Sequence, residues 1–262
     1  MIVIKYGGHA LPEPGVSDPI LELIAAYHAS GKKVILVHGG GPQINAQLKI
    51  YGIDSEFVGG YRKTTHETFA IVQQVLSGGV LRTMVNQLIA LGRDAIGLSA
   101  SDGSIIRAKV MQPIVDGVAQ DIGLVGEIDA VNPHLLDHLL GNGYLPVISP
   151  IGVDRGGKGL NLNADLVAGA IGGALSADQV IFMTDVPGIL RNYPDPNSLI
   201  AEIGIDELKT LLPTFAEGMI PKVESAIAAI EEGAALARII DGRDASNLEK
   251  ALQGFGGTVV KQ

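Results

Sequence analysis

The order of the apolar runs constrains this chain more than any other feature. Runs of strand length alternate with stretches whose apolar residues recur at helical spacing. "IVIKY" (2–6), "KVILVH" (33–38), "DAIGLS" (94–99), "LPVISPIGV" (145–153), "QVIFMTDV" (179–186) and "ARIIDG" (237–242) read as strands. Helical patterns fall between them at 18–33, 41–52, 67–91, 132–143, 163–178 and 219–233, with a last one near 245–252. The first helix carries its own punctuation: Asp18 is placed to cap it, Pro19 suits its first position and Gly31 its end. Alternation of this kind predicts an α/β fold, a three-layer αβα sandwich with a largely parallel central sheet and helices on both faces. Near-continuous apolar strands fit a sheet buried on both sides. Residues 104–129 hold short runs broken by Gly and Pro, which predicts hairpins. A boundary near residue 176, where a helix ends and a strand begins, divides 1–176 from 177–262 over one continuous sheet.

Composition excludes several function classes. The chain has 262 residues, 47% hydrophobic and 18% charged, which suits a packed protein rather than a disordered one. It has no cysteine, so disulfides, thiolate metal sites and cysteine nucleophiles are out. A net charge of −9 argues against nucleic acid as a partner, because phosphate neutralisation needs clustered Lys and Arg. No apolar stretch reaches membrane-spanning length and no signal-peptide pattern precedes the first strand, so no membrane partner and a cytoplasmic location are expected.

Against this background the segment "LVHGGGPQIN" (36–45) is conspicuous. Three glycines at a strand end suggest that something approaches bare backbone. An esterase oxyanion loop would need a G-x-S-x-G elbow, and there is none. "GVDRGGKGL" (152–160) resembles a P-loop but has Gly159 where a hydroxyl should reach a metal ion. A tight turn would explain Gly39 to Gly41 by itself. However, "IKYGG" (4–8) ends another strand with a second glycine pair, and such N–H groups beside a helix start can cradle an anion. Lys5 sits within an apolar strand, a costly place without a negative partner. In "NLNAD" (161–165) Asn163 can cap the following helix, which leaves Asn161 unexplained. Lys222 lies near a helix start, and Arg62, after the pair Gly59-Gly60, is the right group for a bidentate carboxylate grip.

These pieces, in this order, resemble the amino-acid kinase family, and within it the branch acting on N-acetyl-L-glutamate. The resemblance rests on "IKYGGHA", "LVHGGGPQI", "FVGGYR", "AIGLSASDG", "LNLNADLVAGAI", "TDVPGIL", "GMIPKVESAI" and "IIDGR", spread over nearly the whole chain. It implies ATP-dependent phosphorylation of that compound's side-chain carboxylate, a step of arginine biosynthesis. Lys5 and Lys222 would flank the transferred phosphoryl group, with Asp165 holding both. Gly8, Gly40 and Gly41 would offer N–H groups, Arg62 would clamp the α-carboxylate, and Asn161 and Asn163 would contact the acyl-amino acid. Gly7, Asp185, Val186, Pro187, Gly188, Ile189, Leu190, Thr214, Phe215, Ala216 and Gly218 would line the ATP site. Mg²⁺ would arrive with ATP, without a dedicated protein cage. The resemblance assigns acceptor binding and dimerisation to 1–176 and the nucleotide to 177–262. Arginine-inhibited members carry a helix ahead of the first strand; Ile2 already begins that strand here, so a homodimer with little arginine inhibition is expected. A different acylated acidic amino acid or other small acid as acceptor, or a non-catalytic nucleotide or amino-acid sensor of the same fold, remain the alternatives.

Overall fold

The computed structural model describes residues 1–7, 16–115, 117–215 and 218–262. The chain runs β1 (Ile2–Tyr6), α1 (Pro19–Ala29), β2 (Val34–His38), α2 (Gly41–Ile50), β3 (Phe57–Val58), β4 (Tyr61–Arg62), α3 (His66–Gln73), a π turn (Gln74–Val80), α4 (Leu81–Ala90) and β5 (Ala95–Ser99). It continues through β6 (Ile106–Val110), β7 (Ile114–Val115), β8 (Val118–Ala119), β9 (Gly126–Val131), α5 (His134–Gly141), β10 (Leu145–Ser149), β11 (Ile151–Val153), β12 (Gly159–Asn161) and α6 (Ala164–Ala174). The remainder is β13 (Gln179–Thr184), β14 (Glu202–Gly204), α7 (Ile205–Leu211), α8 (Ile220–Glu231), β15 (Ala237–Asp241), α9 (Ala245–Leu252) and β16 (Thr258–Lys261).

An eight-stranded sheet has the order β14-β16-β15-β13-β1-β2-β10-β5. Its six strands from β15 to β5 are mutually parallel, and β16 joins β15 antiparallel. Strands β1, β2, β10 and β13 are almost wholly apolar because both their faces are covered. One face packs on α1, α4 and α9 through Leu21, Ile24, Met84, Leu88 and Leu248. The other packs on α5, α6, α7 and α8 through Leu136, Ile171, Leu208, Val223 and Ala226. The three-layer expectation therefore holds. The first helix also begins and ends as read: Asp18 accepts from the Ile20 amide and Gly31 has φ of 84°.

Two readings need revision. The run 145–153 is not one strand. Leu145–Ser149 belongs to the central sheet, whereas Ile151–Val153 joins a second sheet of order β12-β11-β6-β9. Pro150 lies at the joint, where its missing N–H and fixed φ break the ladder. The end strands β14 and β16, three and four residues long, were not read from the sequence at all. The hairpin expectation for 104–129 holds in the antiparallel pairs β6–β9 and β7–β8. The P-loop look-alike is the β11–β12 hairpin, closed by a hydrogen bond that the Asp154 backbone amide donates to the Lys158 carbonyl at 2.9 Å.

Candidate active site

The site grows from the carboxyl ends of β1, β2 and β13, where a parallel sheet presents its loops. Alternation along β1 sends Val3 and Lys5 towards α6, and Ile4 and Tyr6 to the opposite face. Lys5 is buried, and its Nζ lies 3.1 Å from Asp165 Oδ1. Lys222, in the first turn of α8, places its Nζ 3.4 Å from Asp165 Oδ2. One buried carboxylate thus holds two ammonium groups, one per oxygen. A cation in the first turn of a helix opposes the helix dipole, so Lys222 is not there to stabilise α8. Burial acts to raise the Asp165 pKa, but Lys5 and Lys222 together outweigh it and hold the carboxyl below its ordinary value.

Local backbone chemistry sets this geometry. Asn163 caps α6, accepting from the Asp165 amide at 2.8 Å and the Leu166 amide at 3.3 Å, which fixes Asp165 in the first turn. Gly7 leaves room for the lysine: a Cβ there would sit 2.5 Å from Lys5 Nζ. Gly40 has a packing reason, since a Cβ would meet Leu76 Cδ2 at 2.6 Å. Gly41 has none; among the described residues a Cβ there would find no atom within 4 Å, and its φ is not left-handed. Gly39 is nearly as open, with the Tyr6 carbonyl oxygen at an ordinary 3.8 Å, so Gly41 is the one of the three whose missing side chain meets no described atom in the cavity.

A cavity of about 700 Å³ is lined by Lys5, Gly7, Gly39, Gly40, Gly41, Arg62, Asn161, Asn163, Asp165 and Lys222, with Tyr61, Leu76 and Val80 as an apolar wall. Arg62 is buried on β4. Thr64, fully buried, ties it to the asparagine: Thr64 Oγ1 donates to the Arg62 carbonyl at 2.7 Å, and Asn161 Nδ2 donates to Thr64 Oγ1 at 3.3 Å. Lys5, Lys222 and Arg62 against Asp165 and Asp185 give three positive charges to two negative, a net of +1, in a chain of net charge −9. Such a cavity selects anions.

A second cavity of about 370 Å³ is lined by Asp185, Val186, Gly188, Leu190, Thr214, Phe215 and Gly218. Thr184, Asp185 and Lys222 line both cavities, so the two meet at the Lys222 ammonium. Three residues expected at the nucleotide do not line this space, Gly7 among them, which lines the first cavity beside Lys5 instead. Pro187 is exposed, and Ile189 is buried in the core with its amide donating to Thr258 Oγ1 at 2.8 Å. Gly8 and Ala216 lie outside the described residues. Sequence reasoning missed Tyr61, Leu76 and Val80 in the first cavity and Arg191, Tyr193 and Met219 in the second. The hairpin that carries Tyr61 had a readable signal in Gly59-Gly60, a two-residue turn between strand-like residues. The π turn that presents Leu76 and Val80 had none.

A mostly parallel αβα sandwich with an anion site at its strand ends defines a small-molecule phosphate-handling class, and the chain belongs to the amino acid kinase family, whose model matches residues 1–241. Within that family it is similar to proteins named acetylglutamate kinase. That of Acidothermus cellulolyticus is 43% identical over 246 residues, covering 92% of this chain and 83% of the relative. That of Salinispora tropica is 41% identical over 262 residues, covering 99% and 89%. Among solved structures, smu.665 from Streptococcus mutans matches with a TM-score of 0.81 at 27% identity, covering 99% of this chain and 98% of the other.

Proposed function

We propose that the chain is an ATP-dependent kinase that phosphorylates the side-chain carboxylate of N-acetyl-L-glutamate, a step of arginine biosynthesis. The observation that carries this reading is the pair of ammonium groups on one buried carboxylate where two cavities meet. The acceptor carboxylate, already ionised at neutral pH, attacks the γ-phosphorus. The bond from that phosphorus to the β,γ-bridging oxygen breaks, its electron pair leaves with ADP, and no proton moves. No general base is needed. What the reaction demands is alignment and positive charge around the transferring group, which Lys5 and Lys222 supply. Asp165 keeps the two lysines apart and aimed, and the Gly40 and Gly41 amides receive acceptor oxygens. The second cavity takes the nucleotide.

On the acceptor side, Arg62 takes the α-carboxylate. Asn161 donates through Nδ2 to Thr64, which leaves its Oδ1 to accept from the N–H of an acylated amine. A free ammonium would lie instead in a cavity already carrying net positive charge. Mg²⁺ carried on the ATP phosphates would neutralise part of their charge. Asp185, exposed where the cavities meet, is the kind of oxygen donor that ion takes.

No helix among the described residues is long and apolar enough to cross a membrane. A cytoplasmic homodimer completes the proposal. Support for the dimer comes from β5, which ends the sheet half-exposed along its length beside the exposed Ile89 and Leu91. A second copy would cover such an edge, and light scattering measures it. The acceptor assignment is tested by comparing N-acetyl-L-glutamate with L-glutamate. The acylated compound should be phosphorylated at least about a hundredfold faster at equal low concentration, because an unmet polar group in a closed site is costly. Equal rates would contradict it.

A further inference from the structure

Phe57 poses a problem that the fold does not answer. It is a large aromatic side chain, 54% exposed, on a strand of two residues. Its surroundings supply a reason. Val58-Gly59-Gly60-Tyr61 closes the β3–β4 hairpin, with φ of 55° at Gly59 and 83° at Gly60. Positive φ at both central residues is the type I′ turn, the tight loop that matches the twist of paired strands. A two-residue loop fixes the register, pairing Val58 with Tyr61 and Phe57 with Arg62. Directly opposed residues share a face, and Arg62 Cζ sits 4.7 Å from the centroid of the Phe57 ring. The ladder extends one pair further, with the Lys63 amide donating to the Glu56 carbonyl at 2.9 Å and an ion pair between their side chains, also at 2.9 Å. Just upstream, Ser55 Oγ accepts from Arg62 Nη1. The guanidinium is thus covered on one face by a ring and tied at one nitrogen, and its other N–H donors remain for a ligand.

We infer that Phe57 and Ser55 are positioning residues that hold the Arg62 guanidinium in its carboxylate-receiving orientation before any substrate binds. The glycine pair sets the register, the register stacks ring on cation, and the stack fixes the fork. A long arginine side chain otherwise loses rotamer freedom when its ligand arrives; here that ordering is completed in the free protein. This deepens the acceptor assignment above and rests on it.

The test has two arms. The first needs no acceptor. In protein labelled with ¹⁵N-arginine, the Arg62 Nε–Hε resonance, assigned by its loss in Arg62→Ala, should be displaced upfield by the ring. The displacement should vanish in Phe57→Leu and persist in Phe57→Tyr. An undisplaced resonance, or one unchanged in Phe57→Leu, overturns the inference. The second arm is kinetic. Phe57→Ala and Phe57→Leu should raise the acceptor KM about tenfold, in line with a partly desolvated cation–π contact. Their kcat and ATP KM should stay within about twofold of wild type, and Phe57→Tyr should rescue the KM. An unchanged acceptor KM in Phe57→Ala, or a matched fall in kcat, also overturns it. If the ring-shifted resonance is present but wild-type protein does not phosphorylate N-acetyl-L-glutamate, the acceptor assignment fails and the pre-oriented arginine stands.

Discussion

Replacing Gly41 by alanine should leave the fold intact and damage the chemistry. Gly41 opens α2 with no left-handed φ, and a Cβ there meets no atom of the described residues within 4 Å. Alanine restricts the unfolded chain, so Gly41→Ala should stabilise by about 0.4–1 kcal/mol. For a chain this long that is a rise in Tm of roughly 1–4 °C. The added methyl would nevertheless occupy the space where acceptor oxygens meet the glycine amides. A displacement of about 1 Å at reacting atoms costs on the order of 10²-fold in rate. Gly40→Ala is the internal contrast, because its Cβ would press on Leu76 Cδ2 at 2.6 Å. Pushing that side-chain tip aside should cost about 1 kcal/mol or more of stability as well as activity. Calorimetry alongside steady-state kinetics separates the two variants. Gly41→Ala with full kcat/KM would show that substrate does not approach this backbone, and the reason given for the third glycine would be wrong.

Asp165→Asn should uncouple the two lysines and leave one buried and one partly exposed ammonium group without a counter-charge. A loss of about 3 kcal/mol in urea unfolding is expected, at the low end for a broken buried pair because Lys222 is partly exposed. Unchanged stability would mean that water already screens the cluster. Lys222→Ala should lower kcat by more than about 10²-fold with little change in acceptor KM; retention of most of kcat would remove Lys222 from phosphoryl transfer. His38, buried at the end of β2, donates from Nδ1 to the Gly39 carbonyl at 2.7 Å, and burial lowers its pKa from 6.5 to about 4. Its unfolded form binds the proton more tightly, so stability should be complete above pH 6.5 and decline as pH falls towards 4. The loss should reach about 3 kcal/mol. The contribution should disappear in His38→Gln, and an unaltered pH slope in that variant would assign the decline to other groups.

What the sequence disclosed follows from which interactions are local. The parallel strands were legible because burial on both faces leaves unbroken apolar runs, and α1 was legible because Asp18 and Gly31 act within a turn of its ends. Lys5 could be singled out because a charge in such a strand needs a partner, and Asp165 is that partner at 3.1 Å. The short β14 and β16 stayed hidden because their pairing is long-range and their runs are brief. The split at Pro150 was masked by apolar residues on both sides of it. Leu76 and Val80 reach the cavity through a π turn, whose extra residue per turn shifts every side chain beyond it. Tyr193 reaches the second cavity from an irregular loop, which no periodicity announces.

The central claim is that this site transfers a phosphoryl group from ATP to a carboxylate, and the product itself is the most direct witness. Acyl phosphates react with hydroxylamine to give hydroxamates, which ferric ion colours. Purified protein incubated with Mg-ATP, N-acetyl-L-glutamate and hydroxylamine should form hydroxamate in step with ADP, and neither should accumulate without the acceptor. ADP release that ignores the acceptor, or acceptor-dependent ADP with no hydroxamate, would contradict carboxylate phosphorylation.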